Sequence, residues 1–142
     1  MSSREFRFHH PIQVRYGDID AQRHVNNARY FSYMEASRAA YLQHLGLWSG
    51  QDFDQIGIIL LETQCTFMRP IVYGQTLQIA VRTLRLGNKS IQSAYLFLDA
   101  KTGEKHAQGT ATVVAYDYVA GKSIPIPGAW RTAIEAFEGS LE

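Results

Sequence analysis

Residues 28–45 show the pattern of a long helix that is apolar around most of its circumference. Aromatic, Met and Leu side chains fall on one arc of this helix, and alanines occupy much of the remainder. Such a helix must be largely buried, because water would otherwise contact apolar surface on several sides. Asn26 or Asn27 suits the N-cap, and Gly46 supplies the expected stop.

Most of the remaining sequence has the pattern of strands. Alternation of apolar and polar residues predicts a first strand at 6–16, and further strand patterns cover approximately 57–71, 75–86, 90–99 and 105–116. Turn residues at 73–75, 87–89 and 102–104 predict tight reversals, so that neighbouring strands pair antiparallel and the later ones form a meander. A loop is predicted at 48–55, and a last helix at 129–137.

This order of elements predicts an α+β fold. The long helix can bury its circumference only if a curved antiparallel sheet, of about five strands, wraps round it. In the last strand Ala107, Gly109, Ala111, Val113 and Ala115 give one face of small residues, which would let a helix approach closely. The length suits one substantial core, so we predict a single domain covering residues 1–142.

The composition gives little reason to expect a macromolecular ligand. Fourteen basic and thirteen acidic residues leave a formal charge of +1, so no nucleic acid or membrane partner is predicted. No run of about 18 apolar residues is present, so no membrane insertion is expected. The single Cys65 excludes an internal disulfide and favours a reducing, cytoplasmic location. No His lies at a metal-ligand spacing from another His or from Cys65, so no metal is predicted.

The residues best suited to chemistry lie just before the long helix, at 16–27. Asp18 and Asp20 are followed by His24 and by the asparagines at the helix start. The first N–H groups of a helix lack partners and carry about half an elementary charge, so they can stabilise an oxyanion. A carboxylate beside them can attack an activated acyl group or activate water. Asp18 is better interpreted as a brace of the loop.

The pattern Tyr16-x-Asp18-x-Asp20-x-x-x-His24-Val25-Asn26-Asn27-x-x-Tyr30 resembles the signature of the 4-hydroxybenzoyl-CoA thioesterase-like acyl-CoA thioesterases. The likeness extends to Glu35-x-x-Arg38, to Arg69-Pro70-Ile71-x-Tyr73-Gly74 and to residues 121–127. It implies the hotdog fold and hydrolysis of an acyl-CoA to free acid and coenzyme A, with coenzyme A entering as part of the substrate and no other cofactor. It also implies a homodimer or homotetramer with sites between subunits.

The resemblance implies roles for particular residues. Asp20 matches the carboxylate that acts as nucleophile or general base, and the backbone N–H of Asn27 matches the donor to the thioester oxygen. Lys89 with Ser90 matches a stretch that contacts the phosphates of coenzyme A. Arg23 is a departure, because the family usually has Gly before the His.

A second departure lies in the predicted turn at 87–89, where Gly87 and Asn88 stand in place of the arginines of one branch of the family.

Several neighbouring residues have more than one interpretation. His24 suits a supporting role in orienting the loop, although it could act as acid or base. Asn26 can cap the helix and could also hold water or a substrate oxygen. Tyr30, Phe31 and Met34 follow the helix start and are predicted to border the acyl pocket.

Two side chains are better explained structurally. Arg38 falls within the apolar arc of the helix, where an unpaired charge is costly. We expect a partner for it, either Glu35 or a group from another strand or subunit. Cys65 has no adjacent His and is predicted to be a packed side chain rather than a nucleophile.

Two other functions are compatible with the sequence. One is an acyl-thioester hydratase or dehydratase that uses His24. The other is a non-catalytic protein that binds acyl-CoA or an acyl carrier, in which Arg23 has altered the loop. The apolar residues suit aliphatic and aryl groups alike, so the acyl group is left open.

Overall fold

The structure is a computed structural model that describes residues 2, 5–51, 56–139 and 141. The strands are β1 (Phe8–Gln13), β2 (Ile56–Phe67), β3 (Thr76–Leu86), β4 (Ser90–Asp99), β5 (Lys105–Asp117) and β6 (Lys122–Ser123), and the helices are α1 (Asn27–His44) and α2 (Gly128–Glu138). Each predicted helix and strand is found, with shifted ends. Residues 52–55 of the predicted loop lie outside the described residues.

The strands form one antiparallel sheet in the order β1-β3-β4-β5-β2, and β6 extends it beside β5. Strands β3, β4 and β5 are joined in sequence, so the predicted meander is confirmed. Helix α1 packs on one face of the curved sheet, and the shorter α2 follows the last strand. The predicted α+β architecture is therefore confirmed.

The prediction that sequential neighbours pair is wrong for β2 and β3. Strand β1 occupies that edge of β3, from Phe8 opposite Val81 to Gln13 opposite Thr76. Strand β2 pairs with β5 instead. The residues at 73–75 reverse the chain, but a reversal does not specify which strand lies alongside. Helix α1 connects β1 to β2 across the face of the sheet, so β2 emerges at the opposite edge.

Helix α1 contacts the sheet through a strip of buried side chains. Tyr30, Tyr33, Met34 and Tyr41 are at most 4% exposed. Close approach depends on Gly109 in β5, because a Cβ there would lie 2.9 Å from the Met34 methyl group. The predicted small-residue face is thus confirmed.

The sheet does not cover all of α1 in the single chain. Ser32, Glu35 and Ala36 are exposed on the side that faces away from the core. Among the described residues, no helix is long and apolar enough to cross a membrane.

Candidate functional site

A cleft of about 220 Å³ opens where the start of α1 meets the segment that follows β2. Its lining residues are Asp20, Gln22, His24, Val25, Asn27, Tyr30, Phe67, Met68, Arg69 and Pro70. The structure therefore brings together Asp20 and Asn27, which were predicted to be catalytic, His24, which was predicted to support them or to act as acid or base, and Tyr30 from the predicted acyl pocket.

A tight turn presents Asp20 to the cleft. The Arg23 N–H donates to the Asp20 carbonyl at 2.9 Å, and the Asp20 N–H donates to the His24 carbonyl at 3.0 Å. Arg23 has φ +68°, in the left-handed region that glycine adopts most readily. The chain thus keeps a turn suited to glycine while carrying arginine at that position.

Neutral donors hold the Asp20 carboxylate in place. Oδ1 accepts a hydrogen bond from the Gln22 N–H at 2.9 Å, and Oδ2 accepts one from Asn26 Nδ2 at 3.3 Å. No cation lies within ion-pair distance of Asp20 in the described part of the chain. A carboxylate can accept about four hydrogen bonds, so this one is oriented but retains lone pairs for a ligand.

Asn26 links the carboxylate to the start of α1. Its side-chain oxygen accepts a hydrogen bond from the Ala28 N–H at 2.9 Å, which confirms the prediction that it caps the helix. The same amide group donates to Asp20 through its nitrogen. One side chain therefore fixes the helix start and the carboxylate relative to each other.

Asn27 offers a free main-chain donor at the cleft. It is the first residue of α1, and within the described residues no acceptor binds its N–H. The helix dipole adds partial positive charge at this point. The cleft therefore contains both the Asn27 amide donor and the Asp20 carboxylate.

Asp18 lies in a short 3-10 turn, Tyr16–Asp18, that ends the alternation of β1. It is 1% exposed and accepts hydrogen bonds from the Tyr33 hydroxyl at 2.7 Å and from the Arg15 N–H at 3.1 Å. The Arg15 and Arg29 guanidinium groups lie 3.2 and 3.8 Å away. Burial acts to raise the pKa of Asp18, but the hydrogen bonds from Tyr33 and Arg15 outweigh it and hold that pKa below the ordinary value. These contacts match the predicted bracing role.

The backbone of His24 holds the turn in place, and the residue also lines the cleft. Its main chain forms an isolated antiparallel bridge with Val72, and its side chain lines the cleft. This bridge and the carbonyl contact with Asp20 hold the turn against the segment after β2. The geometry suits the predicted supporting role, and the role itself stays a prediction.

Phe31 and Met34 lie outside the cleft. Met34 is 1% exposed and packs beneath the sheet against Gly109, while Phe31 is half-buried against the main core. Of the three residues predicted to border the acyl pocket, only Tyr30 lines this cleft.

Lys89 and Ser90 lie at the other end of the sheet. Ser90 opens β4, whereas Phe97, whose ring contacts Tyr30 at 5.3 Å, lies seven positions further along that strand. At about 3.3 Å per residue the two ends are roughly 23 Å apart. Lys89 Nζ donates to Ser123 Oγ at 3.2 Å. One chain therefore does not bring these residues to Asp20.

One wall of the cleft was not predicted as part of the site. Phe67, Met68, Arg69 and Pro70 form it, and the His106 carbonyl accepts hydrogen bonds from the N–H groups of Met68 and Arg69. The ring of Phe67 packs edge-on against Tyr30 at 4.8 Å between centroids. Arg69 and Pro70 were assigned to the resemblance but not to the site, although they lie at the end of a predicted strand.

Cys65 lies in β2 and is half-buried. Burial raises the pKa of its thiol to about 11, so the thiolate is disfavoured at neutral pH, as expected of a packed side chain. The part of the chain that the structure describes contains no group of three or more His, Cys, Asp or Glu side chains arranged to hold a metal.

Comparison with known proteins places this geometry in a family. The thioesterase-like superfamily model matches residues 14–134. The long-chain acyl-CoA thioesterase FadM of Escherichia coli is 28% identical over 125 residues, which are 87% of this chain and 94% of FadM.

Solved structures agree with that placement. A Thermus thermophilus thioesterase complexed with coenzyme A and Zn superposes with a TM-score of 0.82 at 31% identity, over 96% of this chain and 98% of the other. The gentisyl-coenzyme A thioesterase BH1999 gives a TM-score of 0.79 at 26% identity, over 89% and 98%. The predicted hotdog fold and the prediction of a thioester hydrolase are confirmed. The chain belongs to the thioesterase-like superfamily.

Proposed function

We propose that the protein hydrolyses acyl-CoA thioesters, with Asp20 as nucleophile or general base and the Asn27 N–H as donor to the carbonyl oxygen. The observation that carries this proposal is that both groups line one cleft, where the amide has no acceptor among the described residues and the carboxylate has no cation. Coenzyme A enters as part of the substrate, and the chemistry requires no other cofactor.

Two routes lead to the same products. In one, an Asp20 oxygen attacks the thioester carbon, the C–S bond breaks to release the coenzyme A thiolate, and water then hydrolyses the mixed anhydride. In the other, Asp20 accepts a proton from water as that water attacks the carbon, and the tetrahedral intermediate expels the thiolate. In both routes the oxyanion accepts a hydrogen bond from Asn27.

We also propose a dimer formed along the free edge of β2. This strand lies at the end of the sheet and exposes Leu60, Leu61 and Phe67, followed by Met68, at 43 to 62% of their surfaces. Long apolar edge strands favour association unless they are covered. A second copy of β2, paired antiparallel, would cover this edge and extend the sheet.

The antiparallel pairing would also bring Lys89 and Ser90 near a cleft. The two sheets run in opposite directions, so the β3-β4 turn of the second copy, which carries Lys89 and Ser90, lies at the same end of the dimer as the Asp20 cleft of the first copy. Coenzyme A extending from the cleft would then meet these residues of the partner. The homotetramer implied by the resemblance would pair two such dimers.

The relatives support acyl-CoA as the substrate class, because the names of FadM and BH1999 specify two acyl-CoA thioesters with different acyl groups. Cleft residues Tyr30, Phe67 and Met68 offer apolar surface to the acyl group. A reducing, cytoplasmic setting is proposed from the single thiol.

Thiol release from aliphatic and aryl acyl-CoAs tests the proposal directly. Asp20→Asn keeps the shape and hydrogen-bonding reach of the side chain, and we expect turnover to fall by about 100- to 10,000-fold. Folding should be unchanged, because the Asp20 side chain accepts just two hydrogen bonds within the described residues, both from neutral donors that an Asn side chain can replace in part.

Position 27 allows the main-chain donor to be removed alone. Proline is favoured at the first position of a helix and lacks the N–H, and Asn26, at φ −62° and ψ 140°, already has the conformation that precedes proline. We expect Asn27→Pro to fold and to lose about 100- to 1000-fold in turnover, while Asn27→Ala keeps the N–H and most of the activity. Full turnover in Asp20→Asn, or equal turnover in the two position-27 variants, would overturn the assigned roles. Saturable acyl-CoA binding without thiol release would favour the binding-protein alternative.

A further inference from the structure

Arg38 is a buried cation whose hydrogen-bond partner, the Tyr95 hydroxyl, is neutral. Its side chain is on α1, the residue is 8% exposed, and Nη1 donates to the Tyr95 hydroxyl at 3.0 Å. No carboxylate lies within ion-pair distance of it in the described ranges. Leaving a guanidinium this deeply buried without an opposite charge is energetically costly. An anion from outside the chain would remove that cost.

The guanidinium borders a hollow of about 260 Å³ between α1 and β2. Ala39, Ile58, Leu60 and Val113 make the walls of this hollow apolar. Among the described residues, Glu35 is the one acidic residue that lines this hollow, and it is exposed at the rim rather than paired with Arg38. The chain therefore presents a buried cation and an exposed anion on neighbouring turns of the same helix face.

We propose that Glu35 of a second copy enters this hollow and pairs with Arg38, while the first copy's Glu35 pairs with the second copy's Arg38. This inference rests on the dimer of the proposed function and adds the contact that joins the two helices. In a twofold interface each residue of a contacting pair appears twice, so one acid and one base on a single face suffice to make it self-complementary.

The spacing along α1 suits this arrangement. Glu35 and Arg38 are three residues apart, a rise of about 4.5 Å. When two such helices lie antiparallel about an axis between these positions, each carboxylate faces the other helix's guanidinium. A second hollow on this face is lined by Ser32, Glu35, Ala36 and Ala39, whose side chains other than Glu35 are small enough to allow close approach.

The same surface is continuous with the free edge of β2. Leu60 lines the Arg38 hollow and is also one of the exposed residues of that edge. Pairing of two β2 strands would thus bring the two α1 helices together over one joint surface. The occupant that fits both the edge and the charges is another copy of this chain.

The test is a double-mutant cycle on the dimer dissociation constant, measured by sedimentation equilibrium. Glu35→Gln and Arg38→Gln each neutralise one partner and keep a polar side chain at the position. We expect each single change to weaken the dimer by at least about tenfold, and the double variant to be no weaker than the weaker single variant. Glu135→Gln removes one exposed negative charge from α2 and should leave the dimer unchanged.

Glu35→Lys provides a second measurement that does not disturb the monomer, because position 35 is exposed. It would place a cation against Arg38 of the partner, so we expect at least about a hundredfold loss of dimer affinity. Additive single effects, or dimerisation of both position-35 variants like the wild type, would overturn the pairing. An Arg38→Gln protein that dimerises normally but changes its acyl preference would assign Arg38 to substrate instead.

Failure of this pairing can be distinguished from failure of the thioesterase proposal. A wild-type dimer that passes the cycle but releases no thiol from any acyl-CoA would retain the pair and remove the hydrolase function. A wild type that stays monomeric at all concentrations would remove the pair, whatever its thiol release.

Discussion

The Asp18 carboxylate is 1% exposed and is bonded by Tyr33 and Arg15, whereas the Asp20 carboxylate, two residues later, faces the cleft with only neutral donors. The difference arises from local backbone. The 3-10 turn rotates Asp18 inward, and the tight turn that follows directs Asp20 outward. The first acid is fully occupied by the protein, while the second keeps lone pairs for another molecule.

This contrast shows how one residue type is fitted for two tasks by its neighbours. Cations and a tyrosine hydroxyl stabilise the charge of Asp18 and fix the loop, which leaves that carboxylate no capacity for a ligand. Asp20 is oriented by Gln22 and Asn26 without being neutralised. Substitutions at the two positions should therefore separate stability from turnover.

Asp18→Asn should give the largest loss of stability. It removes one partner from a buried cluster containing Tyr33, Arg15 and Arg29, which costs about 3 kcal/mol in the free energy of unfolding. Urea unfolding would measure this, with Asp20→Asn as the matched control, expected within about 0.5 kcal/mol of wild type. Turnover per folded molecule should survive in Asp18→Asn, and a loss as deep as that of Asp20→Asn would break the comparison.

The pH dependence of stability gives an independent measure of the same carboxylate. The pKa of Asp18 is lower in the folded than in the unfolded protein, so the unfolded state binds its proton first as pH falls. The stabilisation is therefore present above the ordinary value of 3.8 and is lost below it. The pKa of Asp99 is lowered to about 2, chiefly by a hydrogen bond from Gln75. Asp99 therefore adds a similar acid-dependent decrease in stability to wild type and to Asp18→Asn. As pH falls below about 4, the free energy of unfolding should therefore decrease less in Asp18→Asn than in wild type.

Asn26 connects the helix start with Asp20, so its two contacts can be tested separately. Asn26→Ala should cost about 1 kcal/mol of stability through the lost cap. It should also lower turnover about tenfold, since one hydrogen bond to Asp20 is worth about 1.4 kcal/mol. Asn26→Ser restores a capping side chain that is too short to bond the Asp20 carboxylate. The free energy of unfolding should therefore recover, whereas turnover should not. Recovery of both would assign the whole effect to the helix.

Arg23 should give the smallest effect. Relief of a left-handed arginine is worth about 1 to 2 kcal/mol, and the added freedom of glycine in the unfolded chain offsets about 0.4 to 1 kcal/mol of it. Arg23→Gly should therefore raise the free energy of unfolding by roughly 0.5 to 1 kcal/mol. Arg23→Ala removes the charged side chain but keeps the Cβ, and should show no such gain. Equal stabilisation by Arg23→Gly and Arg23→Ala would show that the arginine side chain beyond Cβ, and not the left-handed backbone, causes the loss of stability.

Much of the fold was predictable because local patterns specify local elements. The helix, the meander and the turns each follow from residues close together in the sequence. The position of β2 in the sheet does not follow from such local patterns. Alternation shows which residues share a face of the sheet but not which strand lies alongside. That choice depends on β1 occupying the edge of β3.

The same distinction applies to the site. Asp20, Asn27 and Tyr30 lie within a short run, so their proximity was readable from the sequence. The wall at Phe67–Pro70 depends on where β2 ends against the start of α1, which no local pattern encodes. Phe31 and Met34 were assigned from nearness to the helix start, but successive helical residues point in different directions and these two turn toward the core.

The placement of β2 at the far edge also bears on how the molecule acquires its site. The hairpins β3-β4 and β4-β5 join neighbouring segments, whereas β1 joins β3 through pairs such as Phe8 with Val81, and β2 joins β5 through pairs such as Leu60 with Val113. Distant pairings carry the larger loop-closure entropy and are typical of slow-folding topologies. The cleft walls come from the two sides of those distant pairings. The two walls of the cleft therefore depend on the pairings that carry the largest loop-closure cost.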